Sequence, residues 1–219
     1  MKWIEAAAIV AIGVLAASGQ EKMPTADAVL ADLKAGNAHH VAKQYLRPNQ
    51  TAERQRALAG GQNPHCGILT CADSRVPPEI VFDRGLGDLF DVRVAGNVAG
   101  DDELASIEYA AEHFDLPLIV VMGHSKCGAV DAAVKGGELH GKLPQLIGAI
   151  RPAVDRTKGM PGDPVANAVR ANVENVVNQL RGSRPVLAEL VAKGKLRIVG
   201  AVYSIETGKV DWLPEAAAK

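Results

Sequence analysis

Residues 116–122 read LPLIVVM and run directly into GHSKCG at residues 123–128. A run that is apolar at nearly every position is typical of a strand buried on both faces of a sheet. Further strands are predicted at 66–71, 89–95, 196–203 and 209–213. Helical patterns fill most of the intervening chain: a stretch capped by Thr25, then 38–59 interrupted by Pro48, 103–114, 127–135, 143–155, 164–181 and 184–193. This alternation predicts an α/β fold with a mainly parallel central β-sheet flanked by helices.

The composition is that of an ordinary globular domain. With 219 residues, of which 47% are hydrophobic and 22% charged, the chain can bury a sizeable core, and residues 20–219 are predicted to form a single domain. A formal net charge of -1 at pH 7 and an aromatic content of 4% argue against a nucleic-acid partner. Three cysteines are too few to make a disulfide scaffold.

The N-terminal segment has the pattern of a secretory signal peptide. Lys2 precedes an apolar run at 6–17, which ends in the small residues Ala17-Ser18-Gly19. We therefore predict a signal peptide at residues 1–19 and a periplasmic or secreted location. The run is too short for a stable membrane anchor. The alternative is a cytoplasmic protein with a buried N-terminal helix. Glu5 favours that alternative, whereas a run that is apolar all round favours the signal peptide.

Soft metal ligands follow two of the predicted strands. Cys71 ends the strand at 66–71, while His124 and Cys127 follow the strand at 116–122. Functional residues of parallel sheets lie just past the carboxyl ends of the strands, so these three side chains are expected to converge. Two thiolates and one imidazole suit Zn²⁺ and leave a fourth position free. Cys66 lies five residues before Cys71, points to the other face of the strand and is interpreted as a core residue.

Asp73 and Arg75 are two residues apart, so both can face the same side as Cys71. One interpretation is a surface ion pair of little energetic consequence. The other is a functional dyad in which Arg75 keeps Asp73 ionised beside the metal as a hydrogen-bond acceptor. If Arg75 did not hold it, Asp73 could become a fourth metal ligand and close the site.

Three short segments resemble the signatures of beta-class carbonic anhydrases. They are CADSR at 71–75, RVAGN at 93–97 and GHSKCG at 123–128, and the resemblance extends from about Asp27 to Leu213. It implies reversible hydration of carbon dioxide to bicarbonate and a proton, with one Zn²⁺ per chain. A zinc-bound hydroxide, oriented by the Asp–Arg dyad, would attack the carbon dioxide. The resemblance also implies a homodimer or a higher homo-oligomer.

The resemblance assigns further residues to the substrate pocket. Gln62 matches a glutamine that donates a hydrogen bond to substrate across a subunit interface. Phe90, Ala95 and Tyr109 match positions that line an apolar pocket, and the backbone N–H of Gly128 would lie close to the substrate.

Three other positions bear on proton transfer and on the state of the metal. His113 falls where some members carry a histidine implicated in proton transfer. One subtype of the family lets the aspartate cap the zinc until the pH rises, and that subtype has a tryptophan where this chain has Ile68. Arg93 could serve the bicarbonate site of that subtype but is also common in the open one. Ile68 favours the open type, which is active at neutral pH.

Three alternatives to a carbonic anhydrase stay open on the sequence. The same zinc site could hydrolyse an analogue of carbon dioxide, such as carbon disulfide. A noncatalytic protein that binds zinc or bicarbonate would use Asp73 as the fourth ligand, and intact Arg75 and Gln62 argue against it. A thiol redox protein would need a Cys-x-x-Cys motif, which the sequence lacks.

Overall fold

The structure, a computed structural model, describes residues 23–215. The helices are α1 (Ala26–Ala42), α2 (Ala52–Ala57), α3 (Pro78–Val81), α4 (Asp101–His113), α5 (Gly128–Lys135), α6 (Leu143–Thr157), α7 (Pro164–Gly182) and α8 (Val186–Ala192). The strands are β1 (Cys66–Thr70), β2 (Leu89–Arg93), β3 (Leu118–His124), β4 (Arg197–Tyr203) and β5 (Val210–Trp212). The signal peptide predicted at 1–19 lies outside the described residues. Among residues 23–215, no helix is both long and apolar enough to cross a membrane.

The strands form one mainly parallel sheet. Their order across the sheet is β2-β1-β3-β4-β5, with every neighbouring pair parallel except β4 and β5. Helices connect and cover the parallel strands, which confirms the predicted α/β class. Because β1 and β3 are neighbours that run in the same direction, their carboxyl ends meet at the same edge of the sheet.

Strand β3 explains why the sequence is apolar without alternation. Leu118, Val120 and Met122 face one core cluster, which helix α1 and the residues around α3 complete. The intervening Ile119 and Val121 face a second cluster, built with α4, α7 and α8. All five side chains are fully buried. Each contributes about 1.5–3 kcal/mol when it leaves water, so this central strand anchors both faces of the fold.

The predicted helix at 38–59 is wrong. Helix α1 continues through residue 42 and ends at Lys43, whose left-handed backbone (φ 59°) closes the last turn onto His39 and His40. Only the short α2 lies in the second half of the predicted range. The buried carboxylate of Asp83 accepts the backbone N–H groups of Leu46 and Arg47, at 2.8 and 3.0 Å. These two hydrogen bonds, to a residue 36 or 37 positions later in the chain, hold the segment between α1 and α2 as a loop.

Three of the four parallel strands differ from their predicted bounds at the carboxyl end. Strand β1 ends at Thr70, one residue earlier than predicted. Strand β3 runs from Leu118 to His124, two residues later than predicted. Strand β2 ends at Arg93, because Ala95–Asn97 form a 3₁₀ turn in which Gly96 has a φ of 72°. His124 is therefore held by the sheet itself, and the turn after β2 lies beside it.

Candidate metal centre

Three buried side chains converge at the carboxyl edge of the sheet. Cys71 follows the last residue of β1, His124 is the last residue of β3, and Cys127 precedes the first residue of α5. Their candidate ligand atoms, two sulfurs and one imidazole nitrogen, all lie within 4.8 Å of one another. The predicted convergence is therefore present in the fold, and no more than 4% of any of the three residues is exposed.

The imidazole of His124 fits a metal ligand. Its Nδ1 donates to the carbonyl oxygen of Ser125 at 2.9 Å, which leaves the lone pair on Nε2. Nε2 is buried and has no hydrogen-bond partner among the described residues. A buried polar atom is costly when unsatisfied, and an imidazole fixed through its other nitrogen is the usual arrangement at a metal. Two sulfurs beside this nitrogen make a donor set that suits Zn²⁺.

The two thiols perturb each other. Cys127 donates towards the Cys71 sulfur and lowers the pKa of Cys71 to about 4, with smaller help from His124 and from the Gly96 N–H at 3.3 Å. The same contact, together with burial, raises the pKa of Cys127, because a second thiolate would form beside the first. A cation bound between the sulfurs would offset that repulsion, so the pair favours metal binding in the thiolate form.

Asp73 and Arg75 form a bidentate ion pair at the mouth of this cluster. Arg75 donates from Nε to Oδ1 at 2.8 Å and from Nη2 to Oδ2 at 2.6 Å, and its backbone N–H also donates to Oδ1 at 2.9 Å. These bonds hold the pKa of Asp73 well below its usual range. Asp73 Oδ2 lies 3.8 Å from His124 Nε2. The carboxylate is thus ionised, next to the ligand group and fully engaged by Arg75.

Arg93 fixes the backbone that carries Cys71 and Asp73. It donates from Nε to the carbonyl oxygen of Cys71 at 3.2 Å and from Nη2 to that of Asp73 at 2.7 Å. The sequence suggested only a possible bicarbonate contact for Arg93. Arg93 pairs with Thr70 at the ends of neighbouring strands, so its side chain can reach the carbonyl groups just after β1.

Known proteins are similar to this chain in sequence and in fold. A family model described as carbonic anhydrase matches residues 66–210. A tetrameric beta-carbonic anhydrase from Sordaria macrospora superimposes with a TM-score of 0.70 and 26% identity, over 88% of this chain and 100% of that one. The chain belongs to the beta-carbonic anhydrase family. Carbonic anhydrase 2 of Mycobacterium tuberculosis is 40% identical over 195 residues, covering 85% of this chain and 93% of that protein. The Coccomyxa beta-carbonic anhydrase, solved with acetazolamide, has a TM-score of 0.66 at 26% identity, over 85% of this chain and 82% of that one.

Two of the residues assigned to the substrate pocket lie next to the candidate metal ligands of this beta-carbonic anhydrase. Ala95 begins the 3₁₀ turn whose Gly96 N–H contacts the Cys71 sulfur. Gly128 is the first residue of α5, directly after Cys127. A side chain at Gly96 would collide with Ile150, since a Cβ there would lie 2.6 Å from Ile150 Cδ1. Glycine therefore permits both the positive φ and the close approach of this turn.

The other three residues assigned to the pocket lie towards the opposite end of the strands. Exposed Gln62 precedes β1, and Phe90 pairs with Gly67 near the start of β2. Cys71 lies four positions after Gly67, which is about 13 Å along an extended strand. The ring of Tyr109 lies 6.3 Å from that of Phe90. Within one chain, then, the structure does not bring these three residues to the candidate metal ligands.

The remaining histidine and cysteine predictions concern residues outside the ligand cluster. His113 is exposed on the last turn of α4, stacks on Tyr109 at 4.0 Å and donates from Nδ1 to the Tyr109 carbonyl at 3.0 Å. Its predicted part in proton transfer stays a prediction. Cys66 has no exposed surface and belongs to the core cluster beneath α1, which confirms its interpretation as a core residue. Burial raises its pKa, so this thiol stays protonated and inert.

A buried carboxyl group that the sequence analysis did not single out lies on edge strand β2. Burial raises the pKa of Asp91 to about 8, and the neighbouring Glu79 adds to the shift. Arg93, on the same strand, acts in the opposite direction, while Cys66 faces the group from β1 as a neutral thiol. One oxygen, Oδ1, is buried and has no hydrogen-bond partner among the described residues. Asp91 is thus a carboxyl group that the folded protein prefers to keep protonated.

Asp91→Asn is expected to change how stability depends on pH. A group whose pKa is raised on folding binds more protons in the native state, so its contribution to stability is lost as the pH rises from about 4 through about 8. The stability of the variant relative to the wild type should therefore rise by about 1–3 kcal/mol between pH 5 and pH 9, because only the wild type must bury a charge at the higher pH. Urea unfolding at both pH values measures this. Exposed Asp155→Asn is the control, and equal behaviour of the two variants would contradict the assignment.

Proposed function

We propose that this chain catalyses the reversible hydration of carbon dioxide to bicarbonate and a proton, with one Zn²⁺ held by Cys71, His124 and Cys127. The observation that carries the proposal is the buried group of two sulfurs and an unpartnered imidazole Nε2 within 4.8 Å of one another. Three protein ligands leave a coordination position for a water molecule, as in catalytic rather than structural zinc sites. Membership of the carbonic anhydrase family supports the same reaction.

The chain's own groups would orient the reaction. Zinc bound here would lower the pKa of a coordinated water from about 15.7 towards about 7, so that a hydroxide nucleophile is available at neutral pH. Asp73 would accept a hydrogen bond from the attacking oxygen, and Arg75 would hold that carboxylate in place and ionised. The Ala95 methyl group and the Gly128 N–H, both beside the ligands, would contact the carbon dioxide. The released proton would pass to buffer or, from a second copy of the chain, to Tyr109 or His113.

We further propose that the site is open at neutral pH. Both oxygens of Asp73 are engaged by Arg75, and Oδ2 is 3.8 Å from His124 Nε2. Turning the carboxylate towards the ligand group would break two short, charge-assisted hydrogen bonds. Ile68, fully buried in the core, occupies the position that carries tryptophan in the capped subtype. We therefore expect activity without an alkaline shift in pH.

The position of the residues assigned to the substrate pocket supports a homo-oligomer. Gln62, Phe90 and Tyr109 lie far from the metal ligands of their own chain, so we propose that a second copy supplies them. The Sordaria macrospora relatives are described as tetrameric, which supports assembly beyond a monomer. Tyr109 is 48% exposed and packs with Phe90, Phe114 and His113, so this aromatic surface is available to a second copy. The signal peptide at residues 1–19 and export from the cytoplasm stay predictions.

Stopped-flow hydration of carbon dioxide tests the proposal on protein of measured zinc content, from about pH 6.5 to about 9. Full activity near neutral pH, lost when a chelator removes the metal and restored by zinc, is the expected result. Activity confined to alkaline pH would support the proposed reaction but contradict the open site, because Asp73 would then cap the metal at neutral pH. No activity at any pH with one zinc per chain would favour a noncatalytic zinc protein or a carbon disulfide hydrolase.

A further inference from the structure

The two residues between His124 and Cys127 are tied to a distant turn. Ser125 Oγ donates to Glu206 Oε2 at 2.7 Å, and Lys126 Nζ donates to Glu206 Oε1 at 2.7 Å. Glu206 lies in the turn between β4 and β5, 81 residues away from Ser125. One carboxylate therefore engages both side chains of the segment that joins two candidate metal ligands.

The backbone of this segment contacts the candidate catalytic groups directly. The carbonyl oxygen of Ser125 accepts the Nδ1–H of His124 at 2.9 Å, so its position sets the orientation of the imidazole. The carbonyl oxygen of Lys126 accepts a longer bond, 3.4 Å, from Arg75 Nη2. A shift of the Ser125–Lys126 backbone would consequently move both the ligand nitrogen and the arginine that holds Asp73.

The Ser125–Lys126 segment has an unfavourable backbone conformation that other contacts must stabilise. Lys126 has a φ of 53°, a left-handed conformation that costs a non-glycine residue about 1–2 kcal/mol. Compensating bonds come from the β4–β5 side. Tyr203 O accepts the Ser125 N–H at 2.8 Å, and Ser125 Oγ accepts the Ile205 N–H at 2.9 Å. Hydrogen bonds from Lys126 and Ser125 lower the pKa of Glu206 to about 2, so this carboxylate is charged under all working conditions.

We propose that Glu206 is a positioning residue of the metal centre: by bonding Ser125 and Lys126 together, it fixes the carbonyl groups that orient His124 and Arg75. The proposal rests on the zinc site of the proposed function. Among residues 23–215, the side chains that bond the Glu206 carboxylate are those of Ser125, Lys126 and Ser204, so its effect on the ligands is exerted through the segment. Groups that orient a ligand in this way typically account for about 10- to 100-fold in metal affinity or activity.

Glu206→Ala tests the proposal on the zinc-loaded full chain. Competition with a chromophoric chelator measures zinc affinity, and the visible spectrum of the cobalt-substituted protein reports the geometry of the ligand set. We expect zinc affinity to fall by about 10-fold or more and the cobalt bands to shift. Glu189→Ala is the matched control, because Glu189 also makes an exposed ion pair, with Lys193 at 3.0 Å, but on α8 away from the ligands. It should leave both readouts unchanged.

Two further variants separate positioning from a general loss of stability. Ser125→Ala combined with Glu206→Ala should cost less than the sum of the two single changes, because both remove the same contact. Glu206→Gln keeps an acceptor for Ser125 but loses the charge that binds Lys126, so its zinc affinity should lie between those of the wild type and Glu206→Ala. It is measured in place of Glu206→Ala if that variant does not fold. Thermal unfolding of every zinc-free variant provides the check on folding.

Zinc affinity of Glu206→Ala within about twofold of the wild type would overturn the proposal, as would an equal loss in Glu189→Ala. The outcome is independent of catalysis. A wild type that binds zinc tightly but does not hydrate carbon dioxide would contradict the proposed function and leave the positioning by Glu206 intact. An active wild type together with a Glu206→Ala variant of unchanged zinc affinity would support the proposed function and contradict the positioning by Glu206.

Discussion

Cys71→Ala is expected to leave the protein without tightly bound zinc and to lower kcat/KM for carbon dioxide hydration by more than about 1000-fold. The change removes one of three ligand atoms, and it removes the thiol whose pKa is lowered to about 4 by Cys127, with His124 and Gly96 adding to the shift. The remaining thiol and imidazole cannot complete the usual set of three protein ligands. Zinc analysis of the purified variant and stopped-flow hydration at saturating zinc measure the two losses.

Cys66→Ala is the matched control for this prediction. Cys66 is also a fully buried thiol of the same segment, yet it lies at the start of β1 in the core beneath α1. The variant should keep one zinc per chain and its activity, and lose about 1 kcal/mol of stability from the cavity it leaves. A Cys71→Ala enzyme that retained zinc and substantial activity would show that Cys71 is not a ligand. Equal losses in both variants would point to folding rather than to the metal.

The convergence of Cys71, His124 and Cys127 could be predicted from the sequence because it depends on the ends of two strands. An unbroken apolar run fixes β3, and a second one fixes β1. In a parallel sheet, neighbouring strands end at the same edge, so His124 and Cys71 had to come close once the strands were adjacent. A two-residue error in the bounds of β3 did not disturb this conclusion, because the residues that follow the run are the same. The Asp73–Arg75 pair was predictable for a similar reason, since its contact spans only two residues.

Other features depend on contacts that leave no periodic signal. The loop after α1 is held by Asp83, whose partners lie 36 residues or more away, so local helix propensity gave the wrong helix. Glu206 contacts Ser125 from the far side of the sequence, and its turn carries no motif of its own. Gln62, Phe90 and Tyr109 were assigned by resemblance alone. Within one chain they lie towards the opposite end of the strands from the candidate metal ligands, so no strand end connects them to that site in the sequence.

Arg75→Ala is expected to lower kcat/KM by at least about 100-fold while zinc stays bound, since a correctly placed proton acceptor contributes about 10²- to 10⁴-fold. Without the arginine side chain, Asp73 loses its two guanidinium hydrogen bonds and keeps only the one from the backbone N–H of residue 75. Its carboxylate can then turn towards the ligand group, since Oδ2 already lies 3.8 Å from His124 Nε2. Protonation cannot explain such a loss between about pH 6.5 and 9, because an aspartate of ordinary pKa stays ionised there.

The expected loss is therefore a loss of position, and a conservative variant tests that distinction. Arg75→Lys keeps a positive charge but cannot form the bidentate pair, so it should restore only a small part of the activity. Arg170→Ala, which removes an exposed arginine of a 3.7 Å ion pair on α7, should stay at the wild-type rate. Stopped-flow profiles and zinc content are measured for all three variants. A fully active Arg75→Ala enzyme would reduce the pair to the surface ion pair of the simpler interpretation. An inactive variant that had also lost its zinc would instead place Arg75 among the groups that hold the ligands.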